Sequence, residues 1–246
     1  MPEQNPFLVP TSPRAGDSRS VGAGRGVEWL REGWTLFVKN PAMWIAVTVV
    51  VLIVFVALSA LGVFGSIAIS LLYPVFSGGI LIGCRELARG GELKFEHLFV
   101  GFKQKTQPLV VLGLYSLVAN LAIALIAFVI VAGGSVSGLL IGQIAGAGVV
   151  AGSIALGMLV FLALSAPLAM ALWFAPGIVV FRDASPVNAM KASFAACLHN
   201  IIPLFVFGVL AFAALLLAML PMGLGLLVVL PVMAGSVYAS YADIFD

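Results

Sequence analysis

Long apolar runs alternate with short polar segments along this chain. Asp, Glu, Lys and Arg are absent from three stretches, residues 41–84, 106–181 and 192–242. A membrane-spanning helix needs about 20 apolar residues, so each stretch is long enough for two spans joined by a turn. The pattern predicts an all-α fold of six membrane-spanning helices arranged as three hairpins. We place the spans at about 42–62, 67–87, 109–132, 154–180, 202–220 and 223–241.

A polar segment with apolar residues at helical spacing precedes each predicted hairpin. The apolar positions include Trp34 and Phe37 in the first segment, Phe102 in the second and Phe194 in the third. Helices of this kind lie at a membrane interface, with the apolar face in lipid or against the bundle. We therefore expect three cytoplasmic amphipathic helices with these four residues at the interface.

The second span of every hairpin contains an internal proline, at Pro74, Pro167 and Pro231. A proline inside a helix removes a backbone hydrogen bond and kinks the helix. The chain thus contains an internal repeat of three units, each with an amphipathic helix, a straight span and a kinked span. Chance is the alternative explanation, because prolines are common in membrane helices.

The middle hairpin carries a glycine-rich connection at residues 133–153. It is interpreted as a loop, an extension of the two helices or a re-entrant segment. Glycines recur there at every fourth position, a spacing that lets helices approach closely. They are candidates for packing within the chain, for an oligomer seam or for a gate. These residues are Gly134, Gly138, Gly142 and Gly146.

The composition supports a membrane protein. Hydrophobic residues make up 62% of the 246 residues and charged residues only 9%, whereas soluble domains are about 25% charged. This excludes a soluble enzyme and a disordered protein. We expect residues 26–246 to form one membrane domain and residues 1–25 to form a disordered cytoplasmic arm.

The six-span arrangement places all twelve Lys and Arg residues on one side of the membrane. Basic residues near span ends mark the cytoplasmic side. The prediction is a multi-pass protein of the bacterial cytoplasmic (inner) membrane with both termini in the cytoplasm.

Few polar groups are candidates for binding. Arg85 and Arg89 follow the second span, where they would bind lipid headgroups or an anion, or simply anchor the span. Asn120 lies inside the third span, where it would hydrogen-bond a neighbouring helix or line a solute path.

Motifs for catalysis and for metal binding are missing. Cys84, His97, Cys197 and His199 share the predicted cytoplasmic side, but their spacing matches no compact zinc motif. No nucleophile elbow, phosphate loop or zinc-protease motif occurs. A net charge of +2 gives no reason to expect nucleic acid. We expect no enzyme activity, no cofactor, no metal and no nucleic-acid partner.

Several segments together resemble one protein family. They are NPFLVP, AGRGVEWLREGW, GGILIGCRELARGGEL, HLFVGF, LWFAPGIVVF and AMKASFAAC. Across nearly the whole chain they resemble the BPSS-type multispanning inner-membrane proteins of proteobacteria, an uncharacterised family. A looser similarity links the chain to YciC-like proteins and to the membrane domain of glycerophosphodiester phosphodiesterases, whose catalytic domain is absent here. The resemblance implies a six-helix inner-membrane protein and brings no catalytic residues.

Two functional hypotheses follow. The first is a scaffold, regulatory or lipid-interacting subunit without catalytic chemistry, because amphipathic helices are present and catalytic groups are missing. Its partners would be membrane lipids and a membrane protein or a second copy of the chain. The second is a transporter or channel for a neutral or lipidic solute, favoured by the repeat and the prolines.

Overall fold

The structure, a computed structural model, describes residues 18–246, and all regular structure in that part is α-helical. Six segments are long and apolar enough to cross a membrane, one of them formed by the sixth and seventh helices together. This confirms the predicted all-α fold with six spans. The helices are α1 (Arg25–Lys39), α2 (Pro41–Ser59), α3 (Val63–Ala88), α4 (His97–Lys103), α5 (Thr106–Ile141), α6 (Gln143–Trp173), α7 (Ala175–Arg182), α8 (Pro186–His199), α9 (Ile201–Met219) and α10 (Leu226–Phe245).

The glycine-rich connection in the middle of the chain is helical. α5 continues to Ile141 and α6 begins at Gln143, so the turn consists of Gly142 with a φ of 107°. Glycine tolerates this backbone conformation because it has no Cβ. The 36 residues of α5 make it about 54 Å long, well beyond a hydrocarbon core of about 30 Å. Of the alternatives for residues 133–153, the structure shows the helix extension.

The fourth span is interrupted where α8 touches it. The backbone N–H of Phe174 donates to Ser193 Oγ at 3.0 Å, and the Ser193 hydroxyl donates to the Met170 carbonyl oxygen at 2.6 Å. A side chain inserted into the helical hydrogen-bond ladder breaks or bends a helix. Pro167, the predicted site of the bend in this span, lies inside α6 before the interruption.

The three short helices α1, α4 and α8 each pack against a proline-containing span. α4 packs on α3, α8 on α6 and α1 on α10. Small residues bring some of these helices close together, because they let backbones approach. A Cβ added to Gly235 of α10 would lie 3.0 Å from the Cα of Gly33 in α1, and one added to Gly79 of α3 would lie 3.0 Å from the Leu98 carbonyl oxygen in α4. We call α1, α4, α8 and the span ends packed against them the collar.

The packed interior lies in the collar. Trp29 of α1, Phe174, Ile178 of α7 and Tyr241 of α10 are at most 1% exposed and belong to one buried cluster. The spans separate away from it. In an apolar 18-residue stretch of each span, half of the α10 residues are buried but only 6% of the α5 residues. Beyond the collar, α5 and α6 pack mainly against each other.

The segment before α1 is attached to the collar. Arg19 donates its backbone N–H to the Ile244 carbonyl oxygen at 2.8 Å. The side chain of Asn200 accepts from the Val21 N–H at 2.8 Å and donates to the Arg19 carbonyl oxygen at 2.9 Å. These contacts fix residues 19–21 of the predicted disordered arm. Its residues 1–17 lie outside the described part of the chain.

Candidate functional site

A cavity of about 680 Å³ lies between α2, α3, α6 and α10, next to the collar. Its size is within the range of small-molecule sites, about 300–1,000 Å³. All three proline-containing spans contribute to its walls, and Pro176 and Pro231 line it directly. The lining residues are Trp44, Val47, Thr48, Val51, Leu52, Phe55, Tyr73, Phe76, Ser77, Ile80, Leu81, Ala169, Leu172, Trp173, Pro176, Leu230, Pro231, Met233, Ala234 and Val237.

The cavity has one tightly packed end, at the collar. Trp44 begins its α2 wall, is 2% exposed and donates its indole N–H to the Leu36 carbonyl oxygen at 3.1 Å. Leu81 on α3 is 3% exposed. At the other end of its α3 wall, Tyr73 is 58% exposed. The cavity is therefore closed toward the collar and open away from it.

The cavity lining is apolar and uncharged, with three side-chain hydroxyl groups. Thr48 donates its hydroxyl to the Trp44 carbonyl oxygen of its own helix at 2.8 Å. Tyr73 and Ser77 lie four residues apart on α3, a spacing that places them on one face of the helix. Within residues 18–246, neither of these two hydroxyls has a hydrogen-bond partner. They are the hydroxyl groups available to a bound molecule.

A second cavity, of about 220 Å³, shares Tyr73, Leu172 and Pro176 with the first. Its other hydroxyls are already bonded. Ser70 donates to the Ser66 carbonyl oxygen at 3.0 Å, and Ser116 accepts from the Asn120 side chain at 3.3 Å. Tyr73 thus lines both cavities without a partner of its own.

Asn120 is bonded within its own helix. Besides the Ser116 hydroxyl, its side-chain nitrogen contacts the Ser116 carbonyl oxygen at 2.8 Å. Residue 120 is exposed on α5 and lines neither cavity. Its amide is therefore bonded within α5 and not to a neighbouring helix, and the alternative role in a solute path stays a prediction.

The two arginines proposed for headgroup binding have different surroundings. The guanidinium of Arg85 lies over the Phe181 ring, 4.4 Å from its centroid, in a cation–π contact. Arg89 is exposed at the C-cap of α3 and has no ion-pair partner in residues 18–246. Arg182 covers the Phe245 ring at 5.2 Å and donates to the Phe245 carbonyl oxygen. Two of these cations therefore stabilise the convergence of α3, α7 and α10 at the collar.

An ion pair ties α1 to α10. Arg25 Nε lies 2.6 Å from an Asp243 carboxylate oxygen, which also accepts from the Trp29 indole at 3.0 Å. The hydrogen bond to Asp243 raises the pKa of Arg25 above its ordinary value. Arg25 also pairs with Glu32 at 3.0 Å. This network closes the collar between its first and last helices.

The glycines of the middle hairpin pack within the chain. Gly138 and Gly146 face each other across the α5–α6 contact, and Gly134 faces Ser153. Gly142 forms the turn. Of the roles weighed for this row, the observed contacts are those of close packing between two helices of one molecule.

The four aromatic residues expected at the interface differ in how much of each side chain is exposed. Trp34 is 52% exposed and Phe102 is 38% exposed, while Phe194 is half-buried. Phe37 is only 6% exposed and lies in the packed interior of the collar. Phe37 therefore packs against the spans, while Trp34 and Phe102 keep much of their ring surface exposed.

The cysteines and histidines do not come together. Across the described residues, no three His, Cys, Asp or Glu side chains are close enough to hold a metal ion. Cys197 donates to the Met170 carbonyl oxygen at 3.4 Å beside the α6 interruption. Burial raises the pKa of its thiol to about 12.

Sequence reasoning missed the polar residues of the cavity. A signal for them exists, because Ser66, Ser70, Tyr73 and Ser77 recur at intervals of four, three and four residues on α3. This spacing marks one stripe of an otherwise apolar helix. Neither Tyr73 nor Ser77 was among the residues that we expected to bind a ligand. Ser193, which interrupts the fourth span, had no comparable signal.

The chain was compared with known proteins. It is similar to a probable inner membrane protein of Burkholderia thailandensis, with 28% identity over 228 residues that cover 89% of this chain and 82% of that protein. No family model and no solved structure matches. With the six apolar helices, this similarity identifies a multi-pass protein of the bacterial inner membrane. It supports the resemblance to inner-membrane proteins of proteobacteria. The YciC-like and phosphodiesterase similarities stay predictions.

Proposed function

We propose that this protein binds membrane lipid in the cavity between α2, α3, α6 and α10, and acts without catalysis as a lipid-interacting subunit. The observation that carries the proposal is the cavity itself, which is apolar, uncharged and built from membrane-spanning helices. Inside a bilayer such a volume does not stay empty, because lipid chains are the solvent that surrounds it. An acyl chain matches the chemistry of its walls.

The length of the cavity supports a single acyl chain or a pair of chains from one leaflet. Its wall on α2 runs from Trp44 to Phe55, a rise of about 16 Å. This is about half of a hydrocarbon core of about 30 Å. The collar end of the cavity corresponds to the side with the basic residues, which we place in the cytoplasm with both termini.

A transporter for a neutral or lipidic solute is the second candidate. The observation in its favour is the asymmetry of the cavity, which is closed at Trp44 and Leu81 and open near Tyr73. A transport cycle would require the collar end to open. In liposomes, transfer of a fluorescent neutral lipid across the bilayer that depends on the protein would favour this candidate over a binding subunit.

A protein partner would dock on the outside of the collar. Trp34 on α1 and Phe102 on α4 keep part of their rings exposed there. Arg89 supplies a cation at the same end of the bundle. This surface is the place for the regulatory or scaffold contact in the first functional hypothesis.

The proposal is tested by filling the cavity. Ala169 on α6 lines it and is exposed, so Ala169→Phe should occupy the volume without disturbing the collar. Ala163 is exposed on the same helix and lines neither cavity, so Ala163→Phe is the matched control. Native mass spectrometry of protein released from mild detergent should show bound lipid on the wild type and the control, and its loss from Ala169→Phe. Equal lipid retention by all three proteins would contradict the proposal.

A further inference from the structure

The hydroxyls of Tyr73 and Ser77 lie in an apolar cavity between membrane-spanning helices, where a hydroxyl without a hydrogen-bond partner is unfavourable. An unbonded hydroxyl in an apolar environment is destabilising by about 1–3 kcal/mol. Other hydroxyls in the two cavities, those of Thr48 and Ser70, donate to carbonyl oxygens of their own helices. Tyr73 and Ser77 have no such bond in the described part of the chain and line the same wall of the large cavity. A molecule with hydrogen-bonding atoms at this wall would satisfy both groups.

The position of Tyr73 along α3 restricts what that molecule is. Tyr73 lies ten residues from the start of α3 at Val63 and fifteen residues from its end at Ala88. These distances correspond to about 15 Å and about 22 Å along the helix. Tyr73 is therefore near the middle of the membrane, which phospholipid headgroups do not reach because they stay at the water interface.

The absence of charged side chains from the cavity lining further restricts the class of molecule that binds there. Neither cavity has an Asp, Glu, Lys, Arg or His side chain in its lining. A phosphate buried there would have no counter-ion, and an uncompensated charge in a medium of low dielectric constant is strongly unfavourable. The basic residues Arg85 and Arg89 are in the last turn of α3 and at its C-cap, on the collar side of the closed end of the cavity. A neutral polar group fits the site and an anionic one does not.

We propose that Tyr73 and Ser77 select a neutral lipid, an apolar molecule whose ester, ketone or hydroxyl oxygens bond to these hydroxyls at the middle of the membrane. This inference rests on the proposed lipid binding and adds the class of lipid. Tyr73 is the specificity-determining residue, because it lines both cavities through the same side chain. Tyr73 and Ser77 donate hydrogen bonds to these lipid oxygens, and no covalent step is involved.

The experiment is a titration with two probes that share their acyl chains and ester groups. Dioleoylglycerol is neutral, and dioleoylphosphatidylglycerol carries a phosphate. Binding to the purified full chain in detergent is measured by native mass spectrometry. We expect the wild type to bind dioleoylglycerol about tenfold more tightly than the phospholipid. We expect Tyr73→Phe/Ser77→Ala to weaken dioleoylglycerol binding about tenfold, the effect of losing about one or two hydrogen bonds.

The control removes the same groups elsewhere. Tyr115 and Ser59 are exposed and line neither cavity, so Tyr115→Phe/Ser59→Ala should bind both probes as the wild type does. Equal binding of dioleoylglycerol by the wild type and Tyr73→Phe/Ser77→Ala would overturn this inference and leave the lipid-binding proposal intact, as would tighter binding of the phospholipid. If Ala169→Phe binds both probes like the wild type, the lipid site is elsewhere and both proposals are wrong.

Discussion

The two halves of this bundle are held together differently. In the collar, glycines bring helices into close contact, the Ser193 hydroxyl bridges two helices, and the Arg25–Asp243 pair joins the first helix to the last. Away from the collar most spans separate, and in an apolar 18-residue stretch of α5 only 6% of the residues are buried. The hydrophobic effect does not drive apolar helices together in a membrane, because lipid chains are as apolar as the helix surfaces. Helices in a membrane therefore associate through close packing and polar contacts. The collar has such contacts and is packed, and so are α5 and α6 where Gly138 and Gly146 meet. The cavity lies between spans that lack them.

The largest effect is expected where the collar is tightest. A Cβ on Gly33 would collide with Ser236 and the backbone of α10. Gly33→Ala should therefore destabilise the protein by about 3 kcal/mol, seen as a lower midpoint in thermal unfolding of the detergent-solubilised protein. Gly208 of α9 has no atom within 4 Å of its added Cβ, so Gly208→Ala should be neutral or stabilising by up to about 1 kcal/mol. Equal effects of the two substitutions would remove the distinction between a packed and an open half.

The Ser193 bridge should give the next largest effect. Ser193 is 0% exposed, and Ser193→Ala leaves the Phe174 N–H without its acceptor. An unsatisfied buried donor is destabilising by about 1–3 kcal/mol. Ser135 on α5 donates only to the Val131 carbonyl oxygen of its own helix, so Ser135→Ala should change the unfolding midpoint little. A Ser193→Ala protein as stable as the wild type would mean that the α6 interruption does not depend on α8.

The Arg25–Asp243 pair should give a smaller effect, because its side chains are 35% and 20% exposed and water screens their attraction. Asp243→Asn should destabilise by about 1 kcal/mol, again measured by thermal unfolding. The matched change is Glu28→Gln, which removes an exposed pair with Arg31 and should have no measurable effect. A larger effect of Glu28→Gln than of Asp243→Asn would contradict the closure of the collar by α10.

The number of membrane spans is easier to predict from the sequence than the packing of the collar. The absence of charge from three long stretches is enough to count the spans, because span length is set by the membrane. The ends of α5 and α6 are less predictable, since nothing in an apolar, glycine-rich run says whether helix continues through residues 133–153. Phe37 illustrates the same limit in the collar, because an apolar helix face packs on lipid or on a neighbouring helix with the same pattern.

The cavity was the least predictable feature. Its walls come from helices distant in the sequence, such as α2 and α10, so no local pattern marks the space between them. The hydroxyl stripe of α3 is visible in the sequence, but its meaning depends on the open space in front of it. Ser193 shows the same dependence, because a serine in a polar segment gives no sign that it completes the hydrogen bonds of another helix.

A structure determined by electron cryo-microscopy in lipid nanodiscs would test the central claim most directly. A packed collar holding the spans apart around a lipid-filled cavity predicts elongated density between α2, α3, α6 and α10 that ends against Tyr73 and Ser77. Spans that close on one another, with α2 touching α6 and their side chains filling this volume, would contradict it.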